Sequence, residues 1–112
     1  MLATKKIAAH LKCVHDKSEK HLPLRGSAIR HEIIINAFFF AASNKHLRVK
    51  SLLLNSRFSN MGIRPHLNDL IEEGWLELKR SNEDARAKQI IPTAKLISKF
   101  ELLSEDFQHL SL

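Results

Sequence analysis

The stretch Leu47–Thr93, LRVKSLLLNSRFSNMGIRPHLNDLIEEGWLELKRSNEDARAKQIIPT, decides how the rest of the chain is read. Within it Ile63, Leu67, Leu70 and Ile71 recur at i, i+4, i+7 and i+8, which predicts a helix with one buried face. Gly74 stops that helix, as glycine does just past a helix C-terminus. Trp75–Leu78 then leads into the basic pair Lys79-Arg80, and Ser81–Ala85 is rich in turn formers. Arg86–Ile91 runs back as a second strand until Pro92 ends it. Upstream, Leu47-Arg48-Val49 adds a short strand, Lys50–Arg57 a short helix carrying Leu52, Leu53 and Leu54, and Phe58–Gly62 a turn. Helix, turn, helix, strand, charged tip, strand is the outline of a winged helix-turn-helix, mainly α with a small β-wing. Such a shape suits duplex DNA, with a helix for the major groove and a basic hairpin for the backbone or minor groove.

Pro65 bears on where the second helix starts. Proline inside a helix removes a hydrogen bond and costs on the order of 3 kcal/mol, yet it is tolerated in the first turn. The expected start is therefore near Gly62 or Ile63 rather than at Ser59.

Outside this stretch, residues 1 to about 21 predict a first helix with Ile7, Leu11 and Val14 on one face. Leu22–Gly26 breaks it, and Ser27 is a suitable N-cap for a helix to about Ser43. The run from Ile33 to Ala42 is apolar nearly all round, which marks a central helix against which the others pack. A last helix begins at or just after Thr93, with Leu96, Phe100, Leu103, Phe107 and Leu110 spaced 4, 3, 4, 3. That stripe, at the chain end, is expected to be exposed to a partner helix. The organisation expected is one winged-helix domain over 1–112, with an N-terminal helix over 1–22, a core over 27–92 and a C-terminal helix over 93–112.

The chain has 112 residues and a formal net charge of +6, so polyanions are the first partners to consider. Cys13 is the single cysteine, which excludes an internal disulfide and fits a reducing, cytoplasmic setting. No secretory signal is expected, and the Ile33–Ala42 run falls far short of the roughly 20 residues that span a bilayer. Basic residues dominate before residue 61, whereas Asp69, Glu72, Glu73, Glu77, Glu83 and Asp84 gather after it. Phosphates repel those acids, so only the N-terminal half of the second helix is expected to enter the groove.

Arg64 and Asn68, at i and i+4, project opposite Ile63 and Leu67. Arginine pairs bidentately with guanine and asparagine with adenine, so these two are candidate base readers; the alternative is a solvated polar face. Ser59 and Asn60, at the helix start, are candidate phosphate donors beside its free N–H groups, and His66 could join either set. Arg48, Lys50, Arg80, Arg86 and Lys88 complete the candidate DNA-binding set. Arginine at the wing tip suits the narrow minor groove; the alternative is surface pairing with Glu83 and Asp84, worth little energetically.

On these residues Leu47–Lys95 resembles the DNA-binding core of the MarR family of winged-helix regulators. The match lies in Leu70-Ile71-Glu72-Glu73-Gly74-Trp75-Leu76, in Asp84-Ala85-Arg86 as the wing motif Asp-x-Arg, and in Thr93 at the next helix. The resemblance implies that Arg86 enters the minor groove and that the protein is a homodimer joined through its N- and C-terminal helices. It departs from the family after the wing, where Pro92-Thr93-Ala94-Lys95-Leu96 replaces Leu-Thr-x-x-Gly and little chain follows.

The seven histidines show no i, i+4 pair, and Cys13 has no Cys-x-x-Cys partner, so no metal site is expected. No phosphate loop or nucleophile motif is present, so no catalytic residue, cofactor or enzymatic activity is expected. Sequence-specific binding of double-stranded DNA by a transcriptional regulator is the favoured function. The alternative is a winged-helix module that binds protein, favoured by the acids from Asp69 onward and by the C-terminal stripe.

Overall fold

The computed structural model describes residues 1–80 and 87–108. Its elements are α1 (Leu2–His21), α2 (Ala28–Ala42), β1 (Leu47–Arg48), α3 (Val49–Asn55), α4 (Asn60–Glu72), β2 (Leu76–Arg80), β3 (Lys88–Pro92) and α5 (Ala94–Phe107). The winged helix-turn-helix expected from the sequence is the fold observed: mostly helix, with one small antiparallel sheet in the order β1-β3-β2. The register pairs Leu78 with Ile90 and Arg80 with Lys88, while Arg48 of β1 faces Gln89.

Local chemistry sets each boundary. Ser27 caps α2 by accepting from the Arg30 amide at 3.1 Å, and Arg25 and Gly26, at φ +50° and +69°, turn the chain into it. Thr93 caps α5 by accepting from the Leu96 amide, while its hydroxyl donates to the Gly74 carbonyl at 2.7 Å. One threonine thus ties the start of α5 to the exit of α4. At that exit Gly74 takes φ +84°, and the Trp75 amide donates to the Leu70 carbonyl at 3.0 Å. This is the Schellman closure that glycine permits at low steric cost.

Two expectations need correction. The turn before α4 is shorter than Phe58–Gly62, and α4 begins at Asn60, capped by the Ser59 hydroxyl, which accepts from the Gly62 amide at 3.1 Å. Pro65 therefore lies inside the helix. Its missing bond leaves the carbonyl of Met61, a residue open to water, and Pro65 itself is exposed, so its ring meets no packed neighbour. Burial of Ile63, Leu67 and Leu70 in the same helix outweighs the proline cost.

The C-terminal stripe is not free. Leu96 and Leu103 are buried, and Phe100 and Phe107 pack partly buried on the core. Phe100 stacks on Phe38 of α2 with ring centroids 3.7 Å apart. The Asp106 carboxylate holds His21 of α1 at 2.6 Å and Lys17 at 3.8 Å, which fastens α5 along α1. Leu110 lies outside the described residues.

The core gathers Leu22, Leu24, Ile33, Ile34, Ala37, Leu47, Leu52, Ile63, Leu67, Leu70, Leu76, Ile90, Leu96 and Leu103 around α2. As expected, α2 is the helix that others pack on, touching β1, β3 and α4. Its apolar run is not buried all round, however: Phe39 is 65% exposed, with Ile35 one turn before it on the same side. On α1, Ile7 is 57% and Leu11 62% exposed, and residues 1–9 are all exposed among the described residues. No helix among the described residues is long and apolar enough to cross a membrane.

Candidate nucleic-acid interface

The buried stripe of α4 fixes its orientation. With Ile63, Leu67 and Leu70 inside, Arg64 and Asn68 face solvent, as their spacing required. In front of the first turns of α4, the start of α3 and the root of the wing enclose a groove of about 590 Å³. Arg48, Lys50, Asn60, Arg64 and Lys88 line it, so half of the ten candidate residues meet in one place. The means is the sheet: β1 pairs with β3, which carries Arg48 beside the strand that holds Lys88.

The remaining candidates divide. Ser59 is exposed at the cap of α4, Asn68 is exposed further along the same helix, and Arg80 is exposed opposite Lys88 in the wing. His66 is turned partly inward, with Nδ1 shielded from solvent and without a partner among the described residues. Arg86, with Glu83 and Asp84, lies outside the described residues. Sequence reasoning passed over Val49, Leu53, Leu54 and Ala87, which also line the groove. A signal was present: three consecutive leucines on a helix point 100° apart and cannot all reach one core.

The electrostatics favour an anion. Among the described residues no carboxylate comes within 4.0 Å of Arg48, Lys50, Arg64 or Lys88. The acid next to the exit of α4 is held elsewhere. Glu73 accepts from Arg30 at 2.7 Å and from Arg25 at 2.8 Å, and Arg30 is itself only 3% exposed. The hydrogen bond from Arg30 leads the causes that hold the Glu73 carboxyl below its ordinary range. Arg30 also donates to the Pro23 carbonyl at 3.0 Å, a second acceptor inside the fold. From Asn60 to Glu73 the helix rises roughly 20 Å, beyond the roughly 8 Å screening length at physiological salt. The glutamate therefore has little influence on phosphates at the groove. Nearby, Lys95 donates to the Glu73 carbonyl at 2.9 Å and sits 4.0 Å over the Trp75 ring.

No protein-family model matches the sequence, and no curated protein does. Solved structures do match. A mutant of MepR from a multidrug-resistant S. aureus clinical isolate aligns with 96% of this chain and 74% of its own, at 16% identity and a TM-score of 0.68. The heme sensor protein PefR from Streptococcus agalactiae, in complex with heme, aligns with 95% of this chain and 73% of its own, at 14% identity and a TM-score of 0.55. A putative MarR-like transcription regulator from Bacillus cereus ATCC 10987 aligns with 96% of this chain and 78% of its own, at 11% identity and a TM-score of 0.54. At these identities what is shared is the fold. The chain has the winged-helix fold of MarR-type regulators, as the resemblance of its sequence implies.

Proposed function

We propose that the protein is a transcriptional regulator that binds double-stranded DNA in a sequence-specific way as a homodimer. In this reading α4 enters the major groove and the wing follows the backbone and minor groove. One observation carries it: four cations without a carboxylate partner among the described residues line a single groove beside the N-terminal turns of α4. A phosphate backbone is the ligand whose charge and repeat such a surface fits. Arg48, Lys50, Arg80 and Lys88 contact phosphate, as do Asn60 and Ser59, whose hydroxyl hydrogen is free to donate while its oxygen caps the helix. Arg64 and Asn68 read base edges, with His66 beside them, and Arg86 takes the minor groove. Exposed apolar side chains of the terminal helices, Ile7 and Leu11 on α1 and Leu102 on α5, support self-association.

The competing protein-binding reading drew on the acids from Asp69 onward and on an exposed C-terminal stripe, and burial of Leu96 and Leu103 takes away the second of these. The test is fluorescence anisotropy on random duplex DNA across a salt series. Each phosphate contact contributes about −0.9 to the slope of log K against log salt, so Arg48, Lys50, Arg80 and Lys88 give a slope near −4 per protomer and about twice that for the homodimer. Lys50→Ala is expected to make it shallower by about 1 per protomer while weakening all sequences alike, and Arg86→Ala to act similarly at the wing. A flat salt profile in the wild-type protein overturns the proposal.

A further inference from the structure

The groove is not cationic throughout. Beside the cations Arg48, Lys50, Arg64 and Lys88 its lining includes four apolar residues, Val49, Leu53, Leu54 and Ala87. Leu54 is 72% exposed there, although its neighbour Leu52 is in the core. A single exposed leucine is ordinary on a protein surface. Apolar side chains set among cations that have no carboxylate partner among the described residues are not, because covering the hydrocarbon also strips water from each charge.

Resting on the DNA-binding reading above, we propose that the apolar part of this groove selects thymine: Leu54, backed by Leu53, packs on the C5-methyl group of a thymine in the major groove while Arg48, Lys50 and Lys88 hold the flanking phosphates. The chemistry separates the four bases. In the major groove thymine alone among them offers a methyl group, whereas cytosine at the same edge offers an N4 amino group that an apolar contact leaves unsatisfied. Duplex DNA supplies both the charge and the methyl. Arg64 lines the same groove, so the selected base has a neighbour within reach of a guanidinium.

The experiment starts from duplexes recovered by binding selection from a randomised pool with the full-length protein. The tightest sequence is then resynthesised with uracil in place of thymine, one position at a time, and its affinity measured by anisotropy at fixed salt. At one or two positions loss of the methyl is expected to weaken binding about fourfold, the scale of one buried methylene-sized group. That loss is expected to vanish with Leu54→Ala and to persist with Leu54→Met. Because Leu54 is largely exposed, both variants are expected to melt like the wild type, which circular dichroism checks. Any change of duplex shape caused by uracil penalises wild type and Leu54→Ala equally, so an equal loss in both overturns the proposal. Indifference to uracil at every position, with steep salt dependence retained, overturns it too while leaving DNA binding standing. Failure to enrich any sequence, with binding flat in salt, removes both the DNA-binding reading and the thymine contact.

Discussion

At the scale of the residue, Pro65 and Glu73 show how local preference yields to packing. Pro65 sits in the second turn of α4, where it gives up a backbone hydrogen bond yet touches no packed side chain. Replacing it restores the bond to the Met61 carbonyl and introduces no clash, although the unfolded chain regains some freedom. Pro65→Ala is therefore expected to stabilise the protein by about 2 kcal/mol, the proline penalty less the entropic term. Denaturant unfolding reads this directly, and an unchanged or lower midpoint sinks the explanation. Glu73 is the opposite case, a charged residue in a segment whose other acids are exposed, drawn inward by the guanidinium of Arg30.

Elements are joined at the exit of α4. The Arg25–Glu73–Arg30 cluster ties the α1–α2 turn and α2 to α4, and Thr93 and Lys95 tie α5 to the same exit. Removing the carboxylate's charge leaves the buried Arg30 guanidinium with neutral acceptors only, the Pro23 carbonyl and the amide oxygen of the substituted glutamine. Glu73→Gln is expected to cost about 3 kcal/mol, the low end for breaking a buried pair, since the carboxylate itself retains some water. The pH dependence has a fixed sign. The Glu73 carboxyl titrates below its usual 4.5 in the folded protein, so its contribution is complete above that value and is lost as pH falls through the folded pKa. Asp106 acts in the same direction, lowered chiefly by its hydrogen bond with His21. In acid titrations of stability, Glu73→Gln should lie below the wild type near neutrality and converge on it in acid. Parallel curves down to about pH 2 would count against the pairing.

At the scale of the whole molecule, the long axis measures 52 Å against 27 and 23 Å across. Residues 1–9 of α1 stand free of the core, and Ile7 and Leu11 are exposed on that helix. In the proposed homodimer these side chains are covered by the second copy. Ile7→Gln combined with Leu11→Gln is expected to shift sedimentation toward the monomer while leaving helix content intact. It should also weaken DNA binding, because two half-sites no longer act together. Unchanged sedimentation would remove α1 from the interface.

Much of this was legible in the sequence. The 3.6-residue spacing of Ile63, Leu67 and Leu70, the stop at Gly74, the caps at Ser27 and Thr93, and the two wing strands each follow from interactions within a few residues. The same local signals placed Arg64 and Asn68 outward, because a helix with one buried face must present the other. What only the tertiary structure decided concerns partners distant in the chain. A heptad-like stripe in α5 states which face is apolar but not whose surface covers it, and α1 and α2 of the same chain do. Glu73 finds Arg30 across 43 residues, and Lys88 joins Arg48 and Lys50 only through the pairing of β1 with β3. Leu54 reaches the groove because Leu52 takes the core position. Periodicity fixes faces through local geometry; chain closure in three dimensions fixes what those faces meet.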